Sequence, residues 1–260
     1  MFDFLRPPYA SFVFGPLLAV CLLALSFVAH RFARRHGREA EESAKSFGLI
    51  SGSVFALLGL LIAFTFSGAY SRYETRRQLI IEETNAIGTA FLRLDLLPES
   101  AQGAVRADFR EYALNREHFI ASLRDRDATI ANLREGQALQ NRIWSRAIAA
   151  TDPAEYRQAR LSVLPALNEM IDITTKRTAA AMAHPPMIVF LMLATVALAC
   201  AWLTGYGAGN QVRLSRLYTV CFAAVTGFML YVILDIEYPS FGVINLRTAN
   251  EFLADLQKQM

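Results

Sequence analysis

Charged residues are absent from four long stretches of the chain, Pro7–His30, Ser46–Ser71, Pro185–Val212 and Leu217–Leu234. Crossing about 30 Å of hydrocarbon takes roughly 20 apolar residues at 1.5 Å per residue, and each stretch is close to that length or longer. The pattern predicts four transmembrane helices. The fourth is the shortest, which also fits a tilted or partly interfacial helix. The first runs longer than the roughly 7–15-residue core of a secretory signal, so it reads as a span and not as a cleaved leader.

Between the second and third spans the pattern changes to apolar residues at helical spacing, with little Gly or Pro and no alternation of the β type. Val105, Phe109, Tyr112, Phe119 and Leu123 share one helical face, and Ile130, Leu133, Ile143, Trp144 and Ala147 mark a second helix. A third opens at Thr151-Asp152-Pro153-Ala154-Glu155, where Asp152 can cap and Pro153 suits the first helical position. Its expected apolar face is Leu161, Leu164, Leu167 and Ile171, with a kink at Pro165. The segment leaving the second span meets no strong breaker before Pro98, which predicts one helix over Gly48–Leu97, roughly 75 Å long. The expected fold is an all-α membrane protein: four transmembrane helices with a helical-bundle domain inserted between the second and third. Its parts are 1–71 with the first two spans, 72–183 as the helical domain, 184–236 with the last two spans, and 237–260 as a turn and amphipathic tail.

Composition agrees with two materials joined in one chain. Hydrophobic residues make up 54% and charged residues 19%, greasier than soluble domains usually are. Between Ser71 and Ala183 lie 16 Lys/Arg and 15 Asp/Glu, most of the chain's 49 charges. The charges leave orientation open. Arg31, Arg34, Arg35, Arg38 and Lys45, with Arg213 and Arg216, favour placing the short loops in the cytoplasm. Arg72, Arg76, Arg77, Arg93, Lys176 and Arg177 argue for a cytoplasmic helical domain instead.

Enzyme chemistry has little support. His30, His36, His118 and His184 stand apart from one another and from any Cys pair, so no zinc spacing exists. Cys21, Cys200 and Cys221 all fall in apolar runs and read as small buried hydrophobes. No phosphate-binding Gly loop or nucleophile elbow is present, and no span contains a charged residue of the kind an intramembrane enzyme would use. Glu82 and Glu83 are adjacent on a helix and point about 100° apart, which fits a solvated or interhelical ion-pair role better than a catalytic pair. No cofactor, metal or nucleic acid is expected.

The second span holds the most specific pattern. At about 100° per residue, Ser53, Leu57, Leu60, Phe64, Ser67, Gly68, Ser71 and Thr75 lie within about 60° of one line. In a symmetric oligomer with this face inward, Leu60 and Phe64 would form a hydrophobic constriction between hydroxyl rings at Ser53, Ser67 and Ser71, the construction of a dewetting gate. The same residues would also serve close helix packing, with Leu60 and Phe64 against lipid or protein.

Phe64-Thr65-Phe66-Ser67-Gly68-Ala69-Tyr70-Ser71-Arg72-Tyr73, followed by Thr75-Arg76-Arg77, resembles the second-helix signature of bestrophin channels, the bacterial ones above all. Lys176-Arg177-Thr178 leading to His184-Pro185-Pro186 resembles the bestrophin approach to the third helix. Asp235-Ile236-Glu237-Tyr238-Pro239-Ser240-Phe241-Gly242 resembles the acidic Pro-Phe-Gly turn after the fourth. The stretch Glu82 to Pro98 is closer still to prokaryotic proteins described as bestrophin-like. The resemblance implies a homopentamer in a bacterial inner (plasma) membrane, with multi-pass subunits, a cytoplasmic helical domain and a central pore lined by the second helix. It places the pore neck at Ala56, Leu60 and Phe64. Structural roles fall to Tyr70, Arg72, Arg76, Pro185, Pro186, Asp235, Glu237, Pro239, Phe241 and Gly242. The cargo it implies is small inorganic ions, anions such as chloride.

Two departures alter that expectation. Ala56 replaces a bulky neck residue, which widens or removes the upper constriction, and the turn at Asp235–Gly242 lacks the acidic run of the animal calcium clasp. An alternative remains: a non-conducting sensor or scaffold whose helical domain binds a ligand or partner outside the cytoplasm, the layout the Arg31–Arg38 cluster prefers.

Overall fold

The computed structural model describes residues 10–36, 41–207, 212–239 and 243–260. Among these residues eight α-helices follow in order: α1 Ala10–His36, α2 Glu41–Leu92, α3 Glu99–Ser122, α4 Arg126–Ala150, α5 Arg157–Met182, α6 Met187–Gly207, α7 Val212–Glu237 and α8 Arg247–Gln259. No strand occurs among the described residues. Four helical segments are long and apolar enough to cross a membrane, in α1, the first part of α2, α6 and α7.

The chain divides into two units: residues 1–71 with 184–238, and residues 72–183 with 239–260. The division at Ser71 falls inside α2, which has no break there. The C-terminal segment is grouped with the charged bundle.

In the first unit α1 packs on α6 and α7. Leu22, Ala29, Leu193, Ala197, Cys200, Ala201, Ala223, Leu230 and Ile233 are buried there. Glycine makes the closest approaches possible. A Cβ on Gly15 would stand 2.7 Å from Tyr231 Cβ, one on Gly227 would stand 2.8 Å from Ala19 Cβ, and one on Gly205 would run into the Ser26 backbone. At that last crossing the Ser26 hydroxyl donates to the Ala201 carbonyl at 2.8 Å, so a buried polar group is satisfied between helices. Cys200 is buried as expected. Cys21 and Cys221 are exposed on the surface of the chain, because each points away from the contact between its helix and the neighbours.

The second unit is a bundle of the latter part of α2 with α3, α4, α5 and α8. Ile80, Ile87 and Ala90 from α2 and Leu94 just beyond it meet Val105, Phe109 and Tyr112 from α3, Ile143 and Ala147 from α4, and Val163, Leu167 and Met170 from α5. Leu253 of α8 closes the core from outside. Asp125 caps α4, its carboxylate accepting from Asp127 N at 3.1 Å.

Three local expectations change. The α-helical part of α2 ends at Leu92, and a 3-10 turn, Arg93–Leu96, replaces its last turn. Leu97 is extended with ψ 158°, as the residue before Pro98 must be. Pro153 precedes a 3-10 turn, Ala154–Tyr156, and α5 starts only at Arg157. Asp152 therefore caps nothing and faces Arg160 on the surface. The buried face of α5 is consequently Val163, Ala166, Leu167, Met170 and Ile173, and Leu161 is exposed. Ile130, near the start of α4, is likewise exposed.

Candidate functional site

The two longest faces of α2 have different environments. In its membrane half, 6% of the most apolar eighteen-residue window is buried, against 28% for α1 and 33% for α7. Leu58 and Ala69 are buried there, and Phe55 meets Phe222 of α7 edge-on with ring centroids 5.4 Å apart. Ser53, Ala56, Leu57, Leu60, Phe64, Ser67 and Ser71 are all exposed, Leu60 to 52% and Phe64 to 69%. Gly68 is half-buried. Ser53 donates its hydroxyl to Leu49 O at 3.1 Å, one turn back, which meets its need for an acceptor without a partner helix.

Tyr70, at the end of this span, is exposed and its ring stacks on Phe66 at 6.4 Å. Arg72 is half-buried. Arg76 is buried, donating from Nε to Ala180 O at 3.0 Å and from Nη2 to Ala183 O at 2.7 Å. Those carbonyls end α5 and have no helical N–H to accept from, so the guanidinium acts as a C-terminal cap.

Around the third and fourth spans, Pro185 is half-buried and Pro186 exposed, with Pro186 O accepting from Val189 N at 3.0 Å to start α6. Asp235, Glu237 and Pro239 are buried. His184 Nδ1 lies 3.0 Å from Glu237 Oε1, and its ring stacks on Tyr238 at 4.6 Å. The residues before α6 and after α7 are thereby tied together. Phe241 and Gly242 lie outside the described residues.

A cluster that spacing does not disclose sits in the second unit. Glu83 of α2 is wholly buried between Arg116 of α3 and Arg177 of α5, with relative exposures of 0%, 1% and 3%. Arg116 Nε donates to Glu83 Oε1 at 2.7 Å, and Arg177 Nη1 donates to Oε2. Thr174 Oγ1 donates to Oε1 at 3.2 Å, Tyr112 OH lies 2.7 Å from Thr174 Oγ1, and Gln140 donates to Tyr112 OH at 3.0 Å. The Phe119 ring lies against both guanidiniums, 4.6 and 5.4 Å away. Burial alone would push the Glu83 carboxyl up, but the two guanidiniums outweigh it and hold it below its ordinary value. Burial pulls Arg177 down and pushes Tyr112 up. The interhelical ion-pair role expected for the Glu82-Glu83 pair thus falls to Glu83, and Glu82 is exposed. The partners lie 33 and 94 residues away. One signal was present: a carboxylate placed between the apolar Ile80 and Ile87 on one helical face.

Among the described residues no group of His, Cys, Asp and Glu is arranged to hold a metal ion. The site offers a long helix face with an apolar middle and hydroxyl flanks.

No curated protein sequence matches the chain. Among solved structures, the chain is similar to a bacterial bestrophin homolog from Klebsiella pneumoniae, with TM-score 0.69 and 15% identity, covering 96% of this chain and 99% of that one. A tyrosine-to-alanine variant of that homolog gives TM-score 0.68 and 16% identity, over 95% and 99% of the two chains. An isoleucine-to-threonine variant gives 0.69 and 15%, over 95% and 98%. The profile of the bestrophin-like domain matches residues 17–250. This chain belongs to the bestrophin-like family.

Proposed function

We propose that the protein is a homopentameric ion channel of a bacterial inner membrane, with its pore lined by α2 and its helical domain of residues 72–183 inserted between the second and third spans on the cytoplasmic side. The reading rests on one observation above the others. The face carrying Ser53, Ala56, Leu60, Phe64, Ser67 and Ser71 is exposed in the single chain, on a span that is 6% buried. Five copies arranged about an axis give that face an occupant, namely water and ions flanked by hydroxyls, with a dewetting neck at Leu60 and Phe64. Ala56 leaves the outer end of the neck wide. Family kinship supports anions such as chloride as the cargo.

Reconstitution in planar bilayers tests the reading. Unitary currents are expected from the wild type, with larger conductance from Phe64→Ala, and reversal potentials under a salt gradient report the sign of the permeant ion. Silence from both proteins, once pentamers are confirmed by native mass, refutes the channel.

One observation favours a second reading. Arg31, Arg34 and Arg35 are exposed at the end of α1, and held in the cytoplasm they put the helical domain on the opposite side, as a sensor or scaffold would need. Reporter fusions near Ile130 separate the two layouts.

A further inference from the structure

The membrane half of α2 is sparsely buried, and the helix continues from it without a break into the bundle. The buried seam of α2 there runs Arg76, Ile80, Glu83, Ile87, Ala90 and continues at Leu94 in the 3-10 turn, spaced by fours and threes. Its apolar members discriminate unevenly between rotations. Leu79 and Ile81 flank Ile80, Ala86 precedes Ile87 and Phe91 follows Ala90, so the first turns tolerate a one-residue rotation, whereas at the far end it would offer Thr89 and Arg93 or Gly88 and Asp95.

The charged members do discriminate. Arg76 and Glu83 are two turns apart, and each has partners fixed by other elements: the terminal carbonyls of α5 for Arg76, and Arg116 and Arg177 for Glu83. A one-residue rotation that brings Glu82 into the place of Glu83 brings Thr75 into the place of Arg76. The opposite rotation brings Arg77 into place and loses the carboxylate, offering Thr84. Neither neighbouring register satisfies both anchors. Stability alone does not explain the cluster, because it buries a net positive charge and leaves Arg116 Nη2 and Arg177 Nη2 without hydrogen-bond partners.

We propose that Arg76 and the Glu83–Arg116–Arg177 cluster form a register lock: positioning residues that fix the rotation of α2 about its own axis and thereby present the Phe64 face. What the rotation accomplishes rests on the pore reading, but the lock itself is tested without ion current. In a background with the three native cysteines replaced by alanine, single cysteines are placed at Ser67 and Ser71 on the face and at Leu61 and Thr65 off it. The full-length protein in phosphatidylcholine vesicles is then labelled with a charged methanethiosulfonate reagent. The parent is expected to label at Ser67→Cys and Ser71→Cys more than about tenfold faster than at Leu61→Cys and Thr65→Cys.

Two variants then act on the lock. The first removes both anchors without stranding a charge: Arg76→Met, Glu83→Leu, Arg116→Met and Arg177→Met together. It is expected to reduce the labelling contrast to less than about threefold while remaining folded. The second moves the anchors by one residue, with Arg76→Thr, Glu83→Thr and Thr84→Glu, so that Arg77 and the new carboxylate take over. It is expected to shift fast labelling from Ser71→Cys toward Thr65→Cys, and it decides the matter if the first variant does not assemble. A parental contrast that survives unchanged in either folded variant overturns the lock and leaves the pore reading standing. No contrast in the parent overturns the pore reading and the lock with it.

Discussion

Gly205→Ala is the sharpest packing test of the membrane unit. A Cβ at Gly205 would stand 2.7 and 2.8 Å from the carbonyl carbon and Cα of Ser26, where carbon atoms in contact sit about 3.5–4.0 Å apart. The obstruction is backbone, so no rotamer change relieves it, and α1 and α6 must separate by about 1 Å. Overpacking of this kind costs about 1–3 kcal/mol. The separation also stretches the bond from Ser26 Oγ to Ala201 O, now 2.8 Å, and a buried hydroxyl left without its acceptor costs about 1–3 kcal/mol more. Alanine returns about 1 kcal/mol through its better helix propensity. The expected net loss is about 1–5 kcal/mol, read as a lower midpoint in thermal unfolding of the detergent-solubilised protein by circular dichroism. Gly103→Ala is the control. Gly103 is exposed in α3 with nothing within 4 Å of its would-be Cβ, so the same substitution there is expected to stabilise by about 0.5–1 kcal/mol. Equal midpoints for the two variants would refute the close crossing of α1 and α6.

Arg76→Ala removes two charge-assisted bonds to the end of α5 and is expected to cost about 2–4 kcal/mol in denaturant unfolding, with Arg76→Lys restoring little because an ammonium lacks the fork. Glu83 binds its proton less readily folded than unfolded, so its stabilisation is full above the ordinary value of 4.5 and is lost as pH falls below it. Unfolding midpoints measured from pH 7 down to 3 should drop for the wild type and vary less for Glu83→Gln, which starts lower. Leu253→Ala empties a fully buried position of α8 and is expected to cost about 2–5 kcal/mol. Limited proteolysis should then cut before α8 sooner than in the wild type, and an unchanged cleavage pattern would contradict its docking.

The parts of this fold governed by local pattern could be read from the sequence. Charge-free length disclosed the four apolar helices, and the lack of strong breakers between Tyr70 and Leu97 disclosed that the second continues past the apolar stretch, although its α-helical part ends at Leu92. Helical spacing placed Val105, Phe109, Tyr112 and Phe119 on the buried face of α3. Errors came where a short-range choice depended on packing. Pro153 was compatible with starting α5, but the chain makes a 3-10 turn first, and that phase change exposes Leu161. The stripe on α2 was legible as geometry, and its residues other than Gly68 are exposed in the single chain. The partners of Glu83 were illegible because ion pairing between helices depends on three-dimensional register, to which sequence separation gives no guide. The tie from His184 to Glu237 was hidden for the same reason.

The buried cluster also bears on the order in which the chain can fold. Glu83 is synthesised 33 residues before Arg116 and 94 before Arg177. At roughly 5–20 residues per second, the second arginine follows by about 5–20 s. Until then Glu83 has only Arg116 to pair with, and the buried cluster closes only once α5 has been made. The three-helix core thus gains its last charged contact when the last of those three helices emerges.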